Sequence, residues 1–144
     1  MKKLIVVLMA LGLAVTTYAQ STAQDTLPTA IRTDFSGKFP GASAMDWQVA
    51  DSIYTATFTF DENRHIIRYG SSGKVLSHRY ELKPEKFPAA VTALIQKDYP
   101  AHKIEDVDYI ETEGVVTYEA ELEGSPDYIL VFDSAGKLLS SKKE

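Results

Sequence analysis

The 144-residue chain contains no cysteine. That excludes disulfides, thiolate nucleophiles and cysteine-based zinc sites. Its three histidines, His65, His78 and His102, fall in no metal-binding spacing such as H-E-x-x-H. Clustered basic residues are missing too. Fifteen Lys and Arg against 20 Asp and Glu give a formal charge of −5, a poor balance for nucleic acid. The G-x-S-x-G motif of serine hydrolases is absent, and no pair of carboxylates stands out for acid–base work. No catalytic residue, metal site or cofactor is therefore expected, and the chain reads as non-enzymatic. Trp47 is the single tryptophan, expected as a core or sheet-edge aromatic.

What is present begins with MKKLIVVLMALGLAVTTYA. Lys2 and Lys3 form a positive start, and Leu4 to Val15 is apolar but shorter than the roughly 20 residues a membrane span needs. Thr17-Tyr18-Ala19 supplies small residues at a cleavage-type position. Residues 1–19 thus read as a secretory signal peptide, and no cysteine follows it for lipid attachment. Its removal leaves 144 − 19 = 125 residues and, with two lysines gone, a charge of −5 − 2 = −7. This implies a periplasmic or extracellular protein without a membrane span. Such a protein must rely on its apolar core, since disulfides are unavailable. Residues 20–26 read as a flexible leader and residues 27–144 as one domain.

That domain reads as internally repeated. Leu27-Pro28 corresponds to Phe87-Pro88, and Phe39-Pro40-Gly41 to Tyr99-Pro100-Ala101. Tyr54, Ala56 and Phe58 correspond to Tyr118, Ala120 and Leu122. Gly73-Lys74-Val75-Leu76-Ser77 corresponds to Gly136-Lys137-Leu138-Leu139-Ser140. Ile31, Phe35 and Phe39 share one helical face, as do Val91, Leu94, Ile95 and Tyr99. Proline suits the start of each helix and stops it at the far end. Alternating runs such as YTATFTF and VTYEAELE read as strands. The expected fold is α+β: two tandem helix-plus-four-strand repeats, 27–82 and 87–144, forming one antiparallel sheet with helices on one face.

The Gly-Lys strings are not phosphate loops. A Walker loop needs Gly where Arg68 stands, Ser or Thr where Val75 stands, and a helix afterwards. They read instead as hairpin turns, Gly70-Ser71-Ser72-Gly73 and Asp133-Ser134-Ala135-Gly136, each with glycine at a left-handed bulge position. Continuous alternation from these turns sets Phe132 against Leu138 and Val131 against Leu139. Tyr128, Leu130, Phe132 and Leu138 then share the helix-packed face, and Ile129, Val131 and Leu139 the other. The same register gives that second face Ile66, Arg68, Leu76, His78 and Tyr80. It puts His65 on the opposite side from His78, with no shared metal site.

An apolar face without helical cover marks a binding or self-association surface. Charge is also uneven. Between Lys103 and Lys137 there are ten acidic and no basic residues. The candidates for partner binding are Ile66, Arg68, Leu76, Glu119, Glu121, Ile129, Val131 and Leu139. They suit a protein or peptide, with a basic partner favoured by the charge asymmetry. The acidic residues from Glu105 to Glu113 lack EF-hand spacing and read as a solvated loop around a short strand that holds Val107 and Tyr109. An alternative reading makes the acidic half a small-ligand or Ca²⁺ binder. Self-association through the sheet face is a further expectation.

The Leu-Pro helix, the Phe/Tyr-Pro-Gly/Ala stop, the Asp46-Trp47 strand, the alternating YTATF run and the closing FD-x-x-GKLL hairpin together resemble a known family. It is that of PepSY-like, β-lactamase-inhibitor-protein-like secreted proteins. The resemblance covers about Leu27 to Leu139. It implies two units joined in one long curved sheet with helices on one side. It also implies binding of a target enzyme or peptidase through the open sheet face. The family has no fixed surface motif, so no functional residue carries over. Val107 stands where the first unit has Trp47, and Gly70 where the second has Asp133.

Overall fold

A computed structural model describes residues 26–144. The expected signal peptide and the leader up to residue 25 lie outside the described residues. The order of elements is α1 (Thr29–Lys38), β1 (Ser43–Ala50), β2 (Ile53–Phe60), β3 (Asn63–Gly70), β4 (Val75–Glu81), α2 (Ala89–Asp98), β5 (Lys103–Thr112), β6 (Val115–Glu123), β7 (Tyr128–Asp133) and β8 (Leu138–Lys143).

This architecture corrects the expected pair of tandem helix-plus-four-strand repeats. The eight strands form one antiparallel sheet in sequential order. β4 pairs with β5 from Ser77↔Thr112 to Glu81↔Asp108, so no sheet edge separates two units at the middle of the chain. Most of the described structure is strand, and two ten-residue helices are its only α-helices among the described residues. A short 3₁₀ turn, Pro84–Lys86, carries the chain from β4 towards α2.

Local chemistry explains the elements. Pro28 and Pro88 stand at the helix N-caps, where a missing N–H costs nothing. Ile31 and Phe35 of α1, and Val91 and Ile95 of α2, point into the core, as four-residue spacing requires. Pro40 and Pro100 follow the C-caps and forbid continuation. Asp51-Ser52 and Asp61-Glu62 have positive φ at both turn positions, the twist that two-residue hairpins need. Asp133 Oδ1 accepts the backbone N–H groups of Ala135 and Lys137, each at 2.9 Å, and fixes the last hairpin.

The core has two clusters on the helix side of the sheet. One joins α1 to Ala56, Phe58, Ile67 and Tyr69; the other joins α2 to Val107, Ala120, Leu130 and Phe132. Trp47 packs at the sheet edge against Phe35, with ring centroids 5.2 Å apart. Between the clusters the helix side carries Tyr80 stacked on Tyr109 at 4.8 Å, with Tyr118 edge-on to Tyr109.

Candidate functional site

Strand alternation assigns every other side chain to the face away from the helices. On β3, buried His65, Ile67 and Tyr69 face the helix, so Ile66 and Arg68 face outward. On β6, Ala120 and Leu122 are buried, so Glu119 and Glu121 face outward. Leu130 and Phe132 put Ile129 and Val131 on the same outer face. Leu76 and Leu139 lie in the bulged segments of β4 and β8. Leu139 is 54% exposed, and Leu76 sits beside Gly70 on the outer side. The eight sequence candidates therefore share one face, which no described helix covers.

The histidine assignment needs correction. Each glycine turn adds one residue to its returning strand, so Arg68 faces Ser77 and Val131 faces Ser140 rather than Leu139. A one-residue offset moves side chains to the other face. His78 and Tyr80 consequently lie on the helix side, opposite Ile67 and His65. His65 Nδ1 and His78 Nε2 are 3.0 Å apart. The Phe60 carbonyl, 3.1 Å from His65 Nε2, can only accept. His65 therefore carries its proton on Nε2, and His78 donates from Nε2 to His65 Nδ1. Burial, then the neighbouring His65 and Lys38, lowers the pKa of His78 to about 4. Burial also lowers that of His65.

The acidic stretch expected as a solvated loop is β5, the longest strand. Val107 and Tyr109 face the helices, while Asp106, Asp108 and Ile110 join the open face. Sequence reasoning missed these three, and the alternation of apolar with acidic residues was the available signal. Arg79 bonds to Asp108 Oδ2 and, at 3.0 Å, to Glu119 Oε1. That ion pair lies across β4, β5 and β6.

Beyond it the carboxylates crowd. Asp106 sits opposite Glu121, and Asp108 opposite Glu81. Asp106, Glu121 and Glu81 make no ion pair among the described residues. Asp106 Oδ1 is buried without a hydrogen-bond partner. Burial, then Glu121, Asp108, Glu81 and Glu105, pushes the Asp106 carboxyl up to about 6. Ile66 lies beside Arg79 on one side of the face, and on the other Ile129 lies beside Glu121 and Val131 beside Glu119. Among the described residues, no group of three or more His, Cys, Asp or Glu side chains is placed to hold a metal ion. No described helix is long and apolar enough to cross a membrane.

No protein-family model and no curated protein sequence matches the chain. Solved structures do. A BLIP-like protein from Bacteroides fragilis is 24% identical, with a TM-score of 0.65 over 83% of this chain and 91% of that one. A DUF2874 family protein from Bacteroides ovatus is 18% identical, with a TM-score of 0.66 over 83% and 89%. A protein from Bacteroides eggerthii, described as periplasmic, is 14% identical, with a TM-score of 0.66 over 81% and 88%. These likenesses show a BLIP-like fold. None of the three is described as PepSY-like, and the resemblance narrows accordingly.

Proposed function

We propose that the protein is an exported, non-enzymatic binding module that docks a protein or peptide on its open sheet face. The carrying observation is the composition of that face: unneutralised carboxylates at its centre and aliphatic side chains at its flanks. Asp108 and Glu119 are taken up by Arg79, while Asp106, Glu121 and Glu81 remain for a lysine or arginine of the partner. An incoming cation removes the mutual repulsion of those carboxylates, and Ile66, Ile129 and Val131 supply the apolar contact around it. The apolar run within residues 1–19 and the periplasmic description of a structural neighbour support export.

Affinity capture from the native cell envelope tests the reading. Glu121→Lys and Val131→Lys are expected to lose a partner that the wild type retains, with neither melting temperature lowered. Added salt should weaken the wild-type complex, because exposed charge attraction is screened. Retention by both variants would refute the docking face. Unfolding by Val131→Lys would make that residue part of a core.

A further inference from the structure

The sheet has two free edges, β1 and β8, and they differ in chemistry. A free edge offers unpaired N–H and C=O groups to any other strand, and charge, especially lysine, guards it. β8 is guarded by Lys142 and Lys143, and the Lys142 side chain is 72% exposed. β1, with sequence SAMDWQVA, has no lysine, arginine or proline; its bulge falls between Ser43 and Asp46, with Ala44 at φ +50, and leaves Asp46 to Ala50 regularly paired with β2. Its one charge, Asp46, accepts a hydrogen bond from Gln48 Nε2 at 3.2 Å. Met45 and Val49, exposed large apolar side chains, both lie on it. Beside it an apolar groove of about 360 Å³ runs between α1 and β1, lined by Phe35, Phe39, Pro40, Met45 and Trp47.

The turn defines which backbone groups are free. β1 and β2 are joined through Asp51-Ser52, with Ala50 directly opposite Ile53. The pair flanking such a two-residue turn exchanges both its hydrogen bonds, and bonded pairs recur at every second residue. Asp46, Gln48 and Ala50 therefore turn their backbone groups towards β2. Trp47 and Val49 turn theirs outward.

We propose that β1 pairs antiparallel with β1 of a second copy of this chain, about a two-fold axis through Trp47 and perpendicular to the sheet. Under that axis Trp47 faces its counterpart and Asp46 faces Gln48, both within the regular stretch, while Val49 meets the bulged segment that carries Met45. The apolar pairs lie on the helix side. The carboxylate-to-amide pair lies on the other, where its chemistry already operates within one strand. Centring the axis on Asp46 instead would oppose two carboxylates. Centring it on Gln48 would set Asp46 against Ala50 and lose the amide. The pairing is isologous, so each contact off the axis occurs twice. It does not depend on what the open face binds.

Sedimentation velocity of the purified protein, from micromolar to millimolar concentration, tests this. A monomer–dimer equilibrium is expected, with a concentration-dependent blue shift of Trp47 emission. Gln48→Asp opposes carboxylates twice across the axis and should weaken the dimer about tenfold, with salt restoring part of the loss. Gln48→Lys opposes Asp46 with a cation and should tighten it. Val49→Pro removes an outward N–H, leaves the β2 ladder intact and should abolish the dimer. Circular dichroism checks the fold of each variant; if Val49→Pro misfolds, the opposite-signed Gln48 variants decide. A monomer at every concentration overturns the proposal and leaves the edge to a strand from another protein. Equal dimerisation by Gln48→Asp and Gln48→Lys overturns it as well.

Discussion

Replacing Gly136 by alanine tests how the β7–β8 turn is held. Gly136 has φ +81, and a Cβ there would lie 2.5 Å from the Ala90 Cβ at the start of α2. Two costs follow. The left-handed backbone costs an alanine about 1–2 kcal/mol. The overlap forces the turn and helix apart, and overpacking of this kind costs about 1–3 kcal/mol. Gly136→Ala should therefore lose about 2–5 kcal/mol in all. Gly114 separates the terms: its φ is +85, but nothing lies within 4 Å of the site of its Cβ. Gly114→Ala should lose only the backbone cost, about 1–2 kcal/mol. Ala90→Gly removes the obstruction at a cost of up to about 1 kcal/mol in helix propensity. In the double variant the two changes should couple favourably by about 1–3 kcal/mol. Urea denaturation with unchanged m-values reads the four variants against the wild type. Equal midpoint shifts for Gly136→Ala and Gly114→Ala, or no coupling with Ala90→Gly, would refute the packing argument.

The histidine pair predicts a pH dependence. His78 has a folded pKa lowered from 6.5 to about 4, so its contribution is present above pH 6.5 and is lost as pH falls from there to about 4. The full shift corresponds to roughly 3 kcal/mol, and partial exposure reduces this to about 2 kcal/mol. His78→Gln should lose that much less stability over the same window, and identical profiles would count against the buried neutral pair. Asp106 has the opposite sign. Its carboxyl is raised from 3.8 to about 6, so it favours the fold at low pH and opposes it once ionised. Asp106→Asn should stabilise the protein above pH 6 by about 1 kcal/mol after allowance for exposure. The gain should shrink towards pH 4, and a gain independent of pH would contradict carboxylate crowding.

The sequence made the helix faces legible because Ile31, Phe35, Val91 and Ile95 repeat at the helical period. Two-residue alternation likewise showed that Ile66, Arg68, Ile129 and Val131 lie opposite the buried residues, though not what they bind. The glycine turns were legible as turns. Their consequence was lost when alternation was carried straight through them: one inserted residue in β4 moved His78 and Tyr80 to the helix side. β5 was legible only as a short strand at Val107 and Tyr109; its carboxylates hid its full length, since acidic residues are poor strand formers in isolation. A single antiparallel sheet was among the expectations, but the register that pairs β4 with β5 is a long-range choice that neither strand announces. Asp61-Glu62 closes a tight hairpin without glycine, and nothing local in that pair signals positive φ.

Two cores under one sheet give the molecule a line of articulation. Along β4 and β5 the sheet is continuous, yet neither helix-side cluster includes Tyr80, Tyr109 or Tyr118. Tyr118 packs only at the margin of the second cluster. The cooperativity of the domain therefore passes through a strip of backbone hydrogen bonds, stacked phenol rings and the Arg79 ion pairs rather than through shared aliphatic packing. The strip that joins the halves mechanically also crosses the centre of the open face, beside the crowded carboxylates. A partner seated there would span both halves and act as a splint, restraining any opening of one half against the other.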